Sequence, residues 1–140
     1  MPPQVVVDTM VASAWLANRQ VERQVRWLRV LAQALWILPF VVVAEMRFGA
    51  EVAGWGLRRR ARLENVIARA AVVPPLEDIT DAYVDLRAWS VRSGHGLSAK
   101  SHEADRWVAA VAIAGELPLA TEDSIFDDVP MLRLLDPDGA

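Results

Sequence analysis

The sequence contains no cysteine and a single lysine, Lys100, among its 140 residues. The lack of cysteine excludes disulfides, thiolate metal sites and cysteine nucleophiles, and it fits the reducing cytoplasm, where we expect the protein to reside. The amino terminus has no basic segment followed by a long apolar stretch, so we expect no signal peptide. The longest apolar run, residues 34–44, contains Pro39 and is shorter than the roughly 20 residues of a bilayer span. We therefore expect no association with a membrane.

The charge of the chain is divided between segments. The net charge of −3 excludes a polycation that coats nucleic acid. Residues 57–69 nevertheless sum to +4, because five arginines stand against one glutamate. Residues 102–128 sum to −6, with seven acids against one arginine. Because the chain has a single lysine, functions that need a lysine are excluded unless Lys100 supplies it.

Short apolar segments alternate with helical patterns along the chain. Five segments have the length and β-branched or apolar character of strands: 4–7, 36–38, 72–73, 118–121 and 131–135. Helical periodicity lies between them, for example over residues 19–34, 57–70 and 102–114. This order predicts an α/β fold with a mostly parallel five-stranded sheet covered on both faces. We expect one domain over residues 1–135 and a frayed tail at 136–140.

Four acidic residues lie where the functional groups of parallel sheets gather, outside the carboxyl ends of strands. Asp8 directly follows the strand VVV, and Asp123 follows the strand PLAT by two residues. Glu45 lies one turn into the helix after the second strand, and Asp105 lies in the first turn of a helix that is apolar on every side. Each acid alone is more simply a cap, a turn or a solvated residue. Together they predict a site.

Carboxylates brought together need a counter-charge. Two of them about 5 Å apart repel by roughly 3 kcal/mol at an effective dielectric of 20. A hard divalent cation relieves this repulsion, and Mg²⁺ or Mn²⁺ prefers carboxylate oxygen to nitrogen or sulfur. Such a cluster binds phosphate esters and activates water, so hydrolysis of a phosphodiester is the natural reaction class.

Four segments carry a resemblance to a known family: VVVDTMVASAWL, VVAEMRFGAE, DRWVAAVAIAGELPLATED and SIFDDVPMLRLL. In this order, and spanning nearly the whole chain, they resemble the PIN-domain family, and specifically its VapC-type toxin ribonucleases from bacterial toxin–antitoxin pairs. The resemblance implies an α/β/α sandwich in which Asp8, Glu45, Asp105 and Asp123 hold Mg²⁺ or Mn²⁺ and water attacks an RNA phosphodiester. It also implies a homodimer and a cognate VapB-like antitoxin.

Other residues near these segments have several interpretations. Thr9 and Thr121 match hydroxyl positions beside the family's acids, where they orient a carboxylate or water, or simply pack and cap strand ends. Asp127 is a lesser candidate that would act through a water. Glu122 stands where many relatives carry a basic or small polar residue, which we expect to weaken attraction for RNA. His95 and His102 suggest a general base, but the family's chemistry needs none, and we interpret their segment, 94–103, as a solvated loop.

The basic helix and the tryptophans admit more than one role. The arginines at 58, 59, 60 and 62 are suited to RNA phosphates, to an acidic antitoxin segment, or to solvent with a few surface ion pairs. Arg47 is a candidate cation near the site, or a partner of Glu51 at helical spacing. Most of the six tryptophans belong in the core, although Trp27 or Trp55 suits a groove for a partner helix.

Two other functions compete with the nuclease. A receiver-type phosphoacceptor also places an aspartate after a strand, but it needs a second acid beside Asp8 and a lysine after a later strand. Here Thr9 and Met10 follow Asp8, and no lysine follows Lys100. The remaining alternative is a catalytically weak scaffold of the same fold that acts mainly by binding its antitoxin.

Overall fold

The computed structural model describes residues 1–16 and 22–139. Its strands are β1 (Gln4–Val7), β2 (Leu35–Pro39), β3 (Ala71–Val73) and β4 (Leu119–Ala120). Its helices are α1 (Thr9–Ala14), α2 (Glu22–Leu31), α3 (Phe40–Val52), α4 (Leu57–Arg69), α5 (Glu77–Ser93) and α6 (Glu103–Gly115). Residues 19–21 of the helix predicted over 19–34 lie outside the described residues. None of the helices in the described ranges combines the length and the hydropathy needed to cross a bilayer.

The four strands form one parallel sheet in the order β3-β2-β1-β4. The chain first adds β2 and β3 on one side of β1 and then returns to place β4 on the other side. The strand order therefore reverses between β1 and β4, which puts the residues after these two strands side by side. In open parallel sheets, the crevice outside the carboxyl ends at such a reversal is the usual ligand site.

The expected fifth strand is reduced to a single bridge. In the described part of the chain, Leu134 pairs with Leu119 in parallel, through Leu119 N to Arg133 O at 2.9 Å and Leu135 N to Leu119 O at 2.8 Å. Pro130 and Pro137 flank this segment, and proline has no N–H to donate to a ladder. The prediction of a mostly parallel sheet is confirmed, with four strands instead of five.

The core lies on both faces of the sheet. Successive residues of β1, Val5 to Val7, are all buried, although successive side chains of a strand point to opposite faces. This is the pattern of a parallel strand covered by helices on both sides. The first turns of α6 are followed by a continuously buried stretch, Val108 to Ala112, as its apolar sequence predicts.

The ends of two helices do not coincide with the residue types that favour helix caps. Thr80 does not cap α5, which begins three residues earlier, and its hydroxyl instead donates to the carbonyl oxygen of Leu76 at 3.0 Å. Gly115 is the last residue of α6 and not its cap. The left-handed cap is Glu116, with φ 53°.

Candidate functional site

Asp8 lies where β1 passes into α1. Its Oδ1 accepts a hydrogen bond from the N–H of Thr9 at 2.8 Å, so the residue caps the helix. The residue is buried, with 7 % of its surface exposed. A strand end and a helix start therefore fix the position of this carboxylate.

Thr121 connects the ends of β1 and β4. Its hydroxyl donates to Asp8 Oδ2 at 2.8 Å and accepts from the N–H of Asp123 at 3.1 Å. Asp123 in turn accepts from the N–H of Ile125 through Oδ1 at 3.0 Å, which caps the 3₁₀ turn Ser124–Phe126. These bonds link two of the predicted acids across the reversal of strand order.

Glu45 and Asp105 complete the group from two helices. Glu45 projects from the first half of α3, directly after β2 and Pro39, and Asp105 from the first turn of α6. Burial is the largest cause of the raised pKa of Glu45 and of Asp8, and repulsion from Asp105 adds to both, so the three carboxylates lie within electrostatic reach of one another. The structure thus brings the predicted acids together at one end of the sheet.

Burial and neighbouring carboxylates disfavour the ionised forms of Asp8 and Glu45. Burial raises the pKa of Asp8 above its ordinary value, and repulsion from Asp105 and Asp123 adds to the rise, whereas hydrogen bonds from Thr121 and Thr9 oppose it. Partial burial of the carboxylate also raises the pKa of Glu45, although the residue as a whole is exposed, and repulsion from Asp8 and Asp105 adds to this. None of the described arginine or lysine side chains contributes to either shift. A group with these properties gains free energy from a counter-charge.

Two observations bear on whether a divalent cation fits here. The Thr9 hydroxyl is buried and makes no hydrogen bond of standard geometry, although it lies near enough to the Glu45 carboxylate to oppose the rise in the pKa of that group. An unsatisfied hydroxyl beside three mutually repelling carboxylates suits a hydrated Mg²⁺ or Mn²⁺. Within residues 1–16 and 22–139, however, no three acidic or imidazole groups converge closely enough to ligate one ion. The chemistry of the donors fits the cation, and their side chains must turn inward to hold it.

The segment with the two histidines is ordered by its own contacts and is not a simple solvated loop. His95 uses both ring nitrogens: Nδ1 accepts from the N–H of Leu97 at 3.1 Å, and Nε2 bonds the carbonyl oxygen of Asp127 at 2.9 Å. His102 Nδ1 lies 2.7 Å from Asp105 Oδ2. Sequence reasoning missed the second contact, for which the only signal is the spacing of three residues across a helix start. Asp127 is exposed and offers its backbone here.

Arg47 and Glu122 have partners that the sequence did not indicate. Arg47 forms a two-pronged ion pair with Glu64, at 3.1 and 2.7 Å, so the predicted pairing with Glu51 is wrong. Glu122 accepts from the indole N–H of Trp27 at 2.9 Å and lies 3.4 Å from Arg26. Its carboxylate therefore ties the loop after β4 to α2.

The arginine helix contributes to the fold as well as to the surface. Arg60 donates to the carbonyl oxygen of Trp55 at 2.7 Å and pairs with Glu51 at 3.0 Å, while Arg62 donates to the carbonyl oxygen of Leu16 at 2.8 Å. The guanidinium of Arg59 lies over the Trp55 ring, 3.8 Å from its centroid. Arg58 is exposed. These contacts account for Arg60 and Arg62 without any ligand.

The tryptophans at 27 and 36 belong to the core. Trp27 and its neighbour Leu31 are each 1 % exposed, so neither lines a groove open to a partner helix. Trp36 donates to the carbonyl oxygen of Leu31 at 3.0 Å and meets Trp15 edge to face at 5.2 Å. Trp55 remains half-buried beside Arg59.

Comparison with known proteins agrees with the fold. The sequence profile of the PIN domain matches residues 5–132. Among curated proteins, the chain is 30% identical over 139 residues to the VapC ribonuclease Y4jK of Sinorhizobium fredii, covering 95% of this chain and 96% of that one. It is 29% identical over 126 residues to the toxin FitB of Neisseria gonorrhoeae, covering 86% and 88%.

Solved structures give the same result. The complex FitAcB from Neisseria gonorrhoeae is similar with a TM-score of 0.78 and 26% identity, over 95% of this chain and 97% of that chain. VapBC2 from Rickettsia felis, solved with a DNA fragment from its promoter, is similar with a TM-score of 0.77 over 94% and 97%. At 17% identity, the second likeness shows the fold alone.

Proposed function

The chain belongs to the PIN-domain family, and from this premise we propose that it is a metal-dependent endoribonuclease, the toxin of a type II toxin–antitoxin pair. One observation carries the proposal: Asp8 and Glu45 have a raised pKa because burial, and with it repulsion from neighbouring acids (Asp105 for both, Asp123 for Asp8), disfavours their ionised forms. Likeness to a VapC ribonuclease and to the FitB toxin over most of the chain supports the same activity.

In this proposal Asp8, Glu45, Asp105 and Asp123 hold Mg²⁺ or Mn²⁺. The bound cation would supply a nucleophile from water at neutral pH and stabilise the leaving oxygen of the phosphodiester. The residues of the chain do the positioning. Thr121 fixes one oxygen of Asp8 and the backbone of Asp123, and the Thr9 hydroxyl is the donor left over to orient a water or phosphate oxygen.

Cleavage of total RNA tests the activity. We expect the purified protein to cut RNA with Mg²⁺ or Mn²⁺ and not with EDTA, and Asp8→Asn to abolish cutting because the amide carries no charge. Asp138→Asn, an exposed aspartate in the tail, is the matched control and should cut normally. Cleavage in EDTA, or undiminished cleavage by Asp8→Asn, would contradict the proposal.

The second candidate is a scaffold that acts mainly through its antitoxin. Glu122 favours it, because its carboxylate accepts from Trp27 and pairs with Arg26, and this pairing reduces the attraction of that arginine for RNA. The test is the same assay with Mn²⁺ binding measured in parallel. If the protein binds its antitoxin but binds no Mn²⁺ and cleaves no RNA, the scaffold proposal is correct and the nuclease proposal is wrong.

We also propose the two partners that the family implies, a cognate antitoxin and a second copy of this chain. Solved relatives named as VapBC or FitAB complexes support the antitoxin. For the second copy, α5 offers a face with exposed Val84 and Val91, 57 and 63 % accessible, and the smaller Ala88 between them. Asp81 and Asp85 flank its first half, while Arg87 and Arg92 flank its second. An antiparallel copy would place acids opposite arginines.

A further inference from the structure

We propose that His102 is a positioning residue that holds the carboxylate of Asp105 in place beside Asp8 and Glu45. The inference rests on the proposed function, because Asp105 belongs to the same acidic group. His102 acts on this group only through Asp105. It is therefore a residue that orients a ligand for the cation, and not a base that takes part in the reaction.

The contact is short and its direction is fixed by chemistry. His102 Nδ1 lies 2.7 Å from Asp105 Oδ2, and the two side chains are 31 and 24 % exposed. A carboxylate can only accept, so Nδ1 carries the proton and donates, in the neutral ring as in the charged one. The other oxygen, Oδ1, accepts no hydrogen bond from the described residues. One oxygen is thus held and the other is left for a ligand.

Helix capping does not explain this pair. His102 occupies the cap of α6 and Asp105 the third position of its first turn. An acid at that position ordinarily reaches back to the N–H of the cap residue. Here the N–H of His102 donates to the carbonyl oxygen of Ala99 at 3.1 Å, and the imidazole caps no backbone group. The two side chains instead form a hydrogen bond with each other.

A buried arginine anchors the backbone just before His102. Arg106 is 1 % exposed and donates through Nη1 to the carbonyl oxygens of Leu97 and Ala99, at 2.6 and 2.8 Å. Its Nε donates to the Tyr83 hydroxyl at 3.2 Å. The carbonyl oxygen of Ala99 also accepts from the N–H of His102, so the backbone from which the imidazole projects is tied to α6 through Arg106.

Without this restraint Asp105 would turn away from its neighbours. Asp105 repels both Asp8 and Glu45, and this repulsion adds to the rise that burial causes in the pKa of each. A carboxylate that is free to rotate lowers this repulsion by moving toward solvent, and binding a cation would then require it to return. A hydrogen bond to the second oxygen of a ligand is the usual device against such movement, and its loss costs about 10–100-fold in metal affinity.

Calorimetric titration of the full chain with Mn²⁺ tests the assignment through three variants. Asn keeps an N–H at the position of Nδ1, so we expect His102→Asn to bind Mn²⁺ about as well as the unaltered protein. His102→Gln places its N–H at the wrong position and His102→Ala has none, so both should bind about 10–100-fold more weakly. Ser101→Ala, an exposed neighbour in the same turn, is the control and should change nothing.

The other results contradict the inference. Equal affinity in all variants, tighter binding in His102→Ala, or an equal loss in Asn, Gln and Ala would each overturn it. If the unaltered protein binds no Mn²⁺, the proposed function fails instead. In that case the contact between His102 and Asp105 is tested by urea unfolding in EDTA. The changes in the free energy of unfolding caused by His102→Ala and by Asp105→Asn should then be non-additive in the double variant. Additive effects would overturn the positioning role as well.

Discussion

At the scale of single residues, one hydroxyl joins two of the proposed ligands. Thr121 donates to Asp8 and accepts from the backbone of Asp123, so it serves both sides of the site at once. Burial and like charges make Asp8 costly to keep ionised, and this hydrogen bond is the largest influence that opposes them. The hydroxyl of Thr121 therefore favours the ionised form of Asp8 more than any other contact of that carboxylate.

Removing that hydroxyl should weaken both fold and site. We expect Thr121→Val to lower the free energy of unfolding by about 1–3 kcal/mol, because a buried carboxylate loses a donor and the N–H of Asp123 loses its acceptor. Urea denaturation of the metal-free protein measures this. Thr121→Ser keeps the hydroxyl and should lose much less. Equal losses in the two variants would show that the methyl group, and not the hydrogen bond, is what matters.

Two glutamates should respond to pH in opposite directions. The raised pKa of Glu45 means that the folded chain holds this proton more tightly than the unfolded chain, so stability falls as pH rises from the ordinary value of 4.5 through the folded pKa. Glu45→Gln should therefore stabilise the protein in EDTA at pH 7, by less than about 1 kcal/mol since the side chain is largely exposed. The gain should vanish well below pH 4.5.

Glu64 provides the contrast. Its hydrogen bonds with Arg47 hold its pKa below the ordinary value, so its contribution is present above pH 4.5 and is lost as pH falls through the folded pKa. Glu64→Gln should slightly destabilise the protein at pH 7, and thermal unfolding across a pH series compares the two variants. A change of the same sign in both would contradict the electrostatic explanation.

The sequence predicts acids better than it predicts their supports. Asp8, Glu45, Asp105 and Asp123 can be placed because each lies at the end of a strand or the start of a helix, which local patterns locate. The contact between Glu122 and Trp27 joins residues 95 positions apart, and no local pattern reports it. The partner of Arg47 likewise depends on how α3 and α4 pack. The roles of residues whose partners are distant in sequence can therefore be assigned only from the fold.

At the scale of elements, Arg106 joins α6 to the segment before it. The guanidinium satisfies the carbonyl oxygens of Leu97 and Ala99 in the interior, and the hydroxyl of Tyr83 on α5 completes its surroundings. The segment before α6, which has little regular structure, is thus held against α6 and α5 by one side chain. The sequence around positions 94–103 gave no sign of this, because the restraint comes from a side chain that follows it.

Arg106→Met should test this restraint. Two carbonyl oxygens in the interior would lose their donor, and we expect the free energy of unfolding to fall by about 3 kcal/mol. Arg58→Met, on the exposed surface of α4, is the matched control and should stay within about 0.5 kcal/mol. Chemical denaturation followed by tryptophan fluorescence gives both values. A small effect at Arg106 would mean that solvent or a rearranged loop satisfies the carbonyls.

At the scale of the whole molecule, the apolar face of α5 should bring two copies together. Replacing Val84 and Val91 with glutamate puts like charges into the face and should convert a dimer into a monomer, as measured by light scattering. Val52→Glu, at an equally exposed valine on α3, is the control and should leave the dimer intact. An unaltered protein that is monomeric at high concentration would contradict the proposal, and dissociation by the control would move the interface to α3.

The sheet order has a consequence for the synthesis of the protein. Asp8 precedes its hydrogen-bond partner Thr121 by 113 positions, and Asp123 also follows β4. The acidic group therefore cannot assemble on a nascent chain until β4 and these two residues have left the ribosome. Under the proposed activity, a polypeptide interrupted before that point is harmless to the message that encodes it.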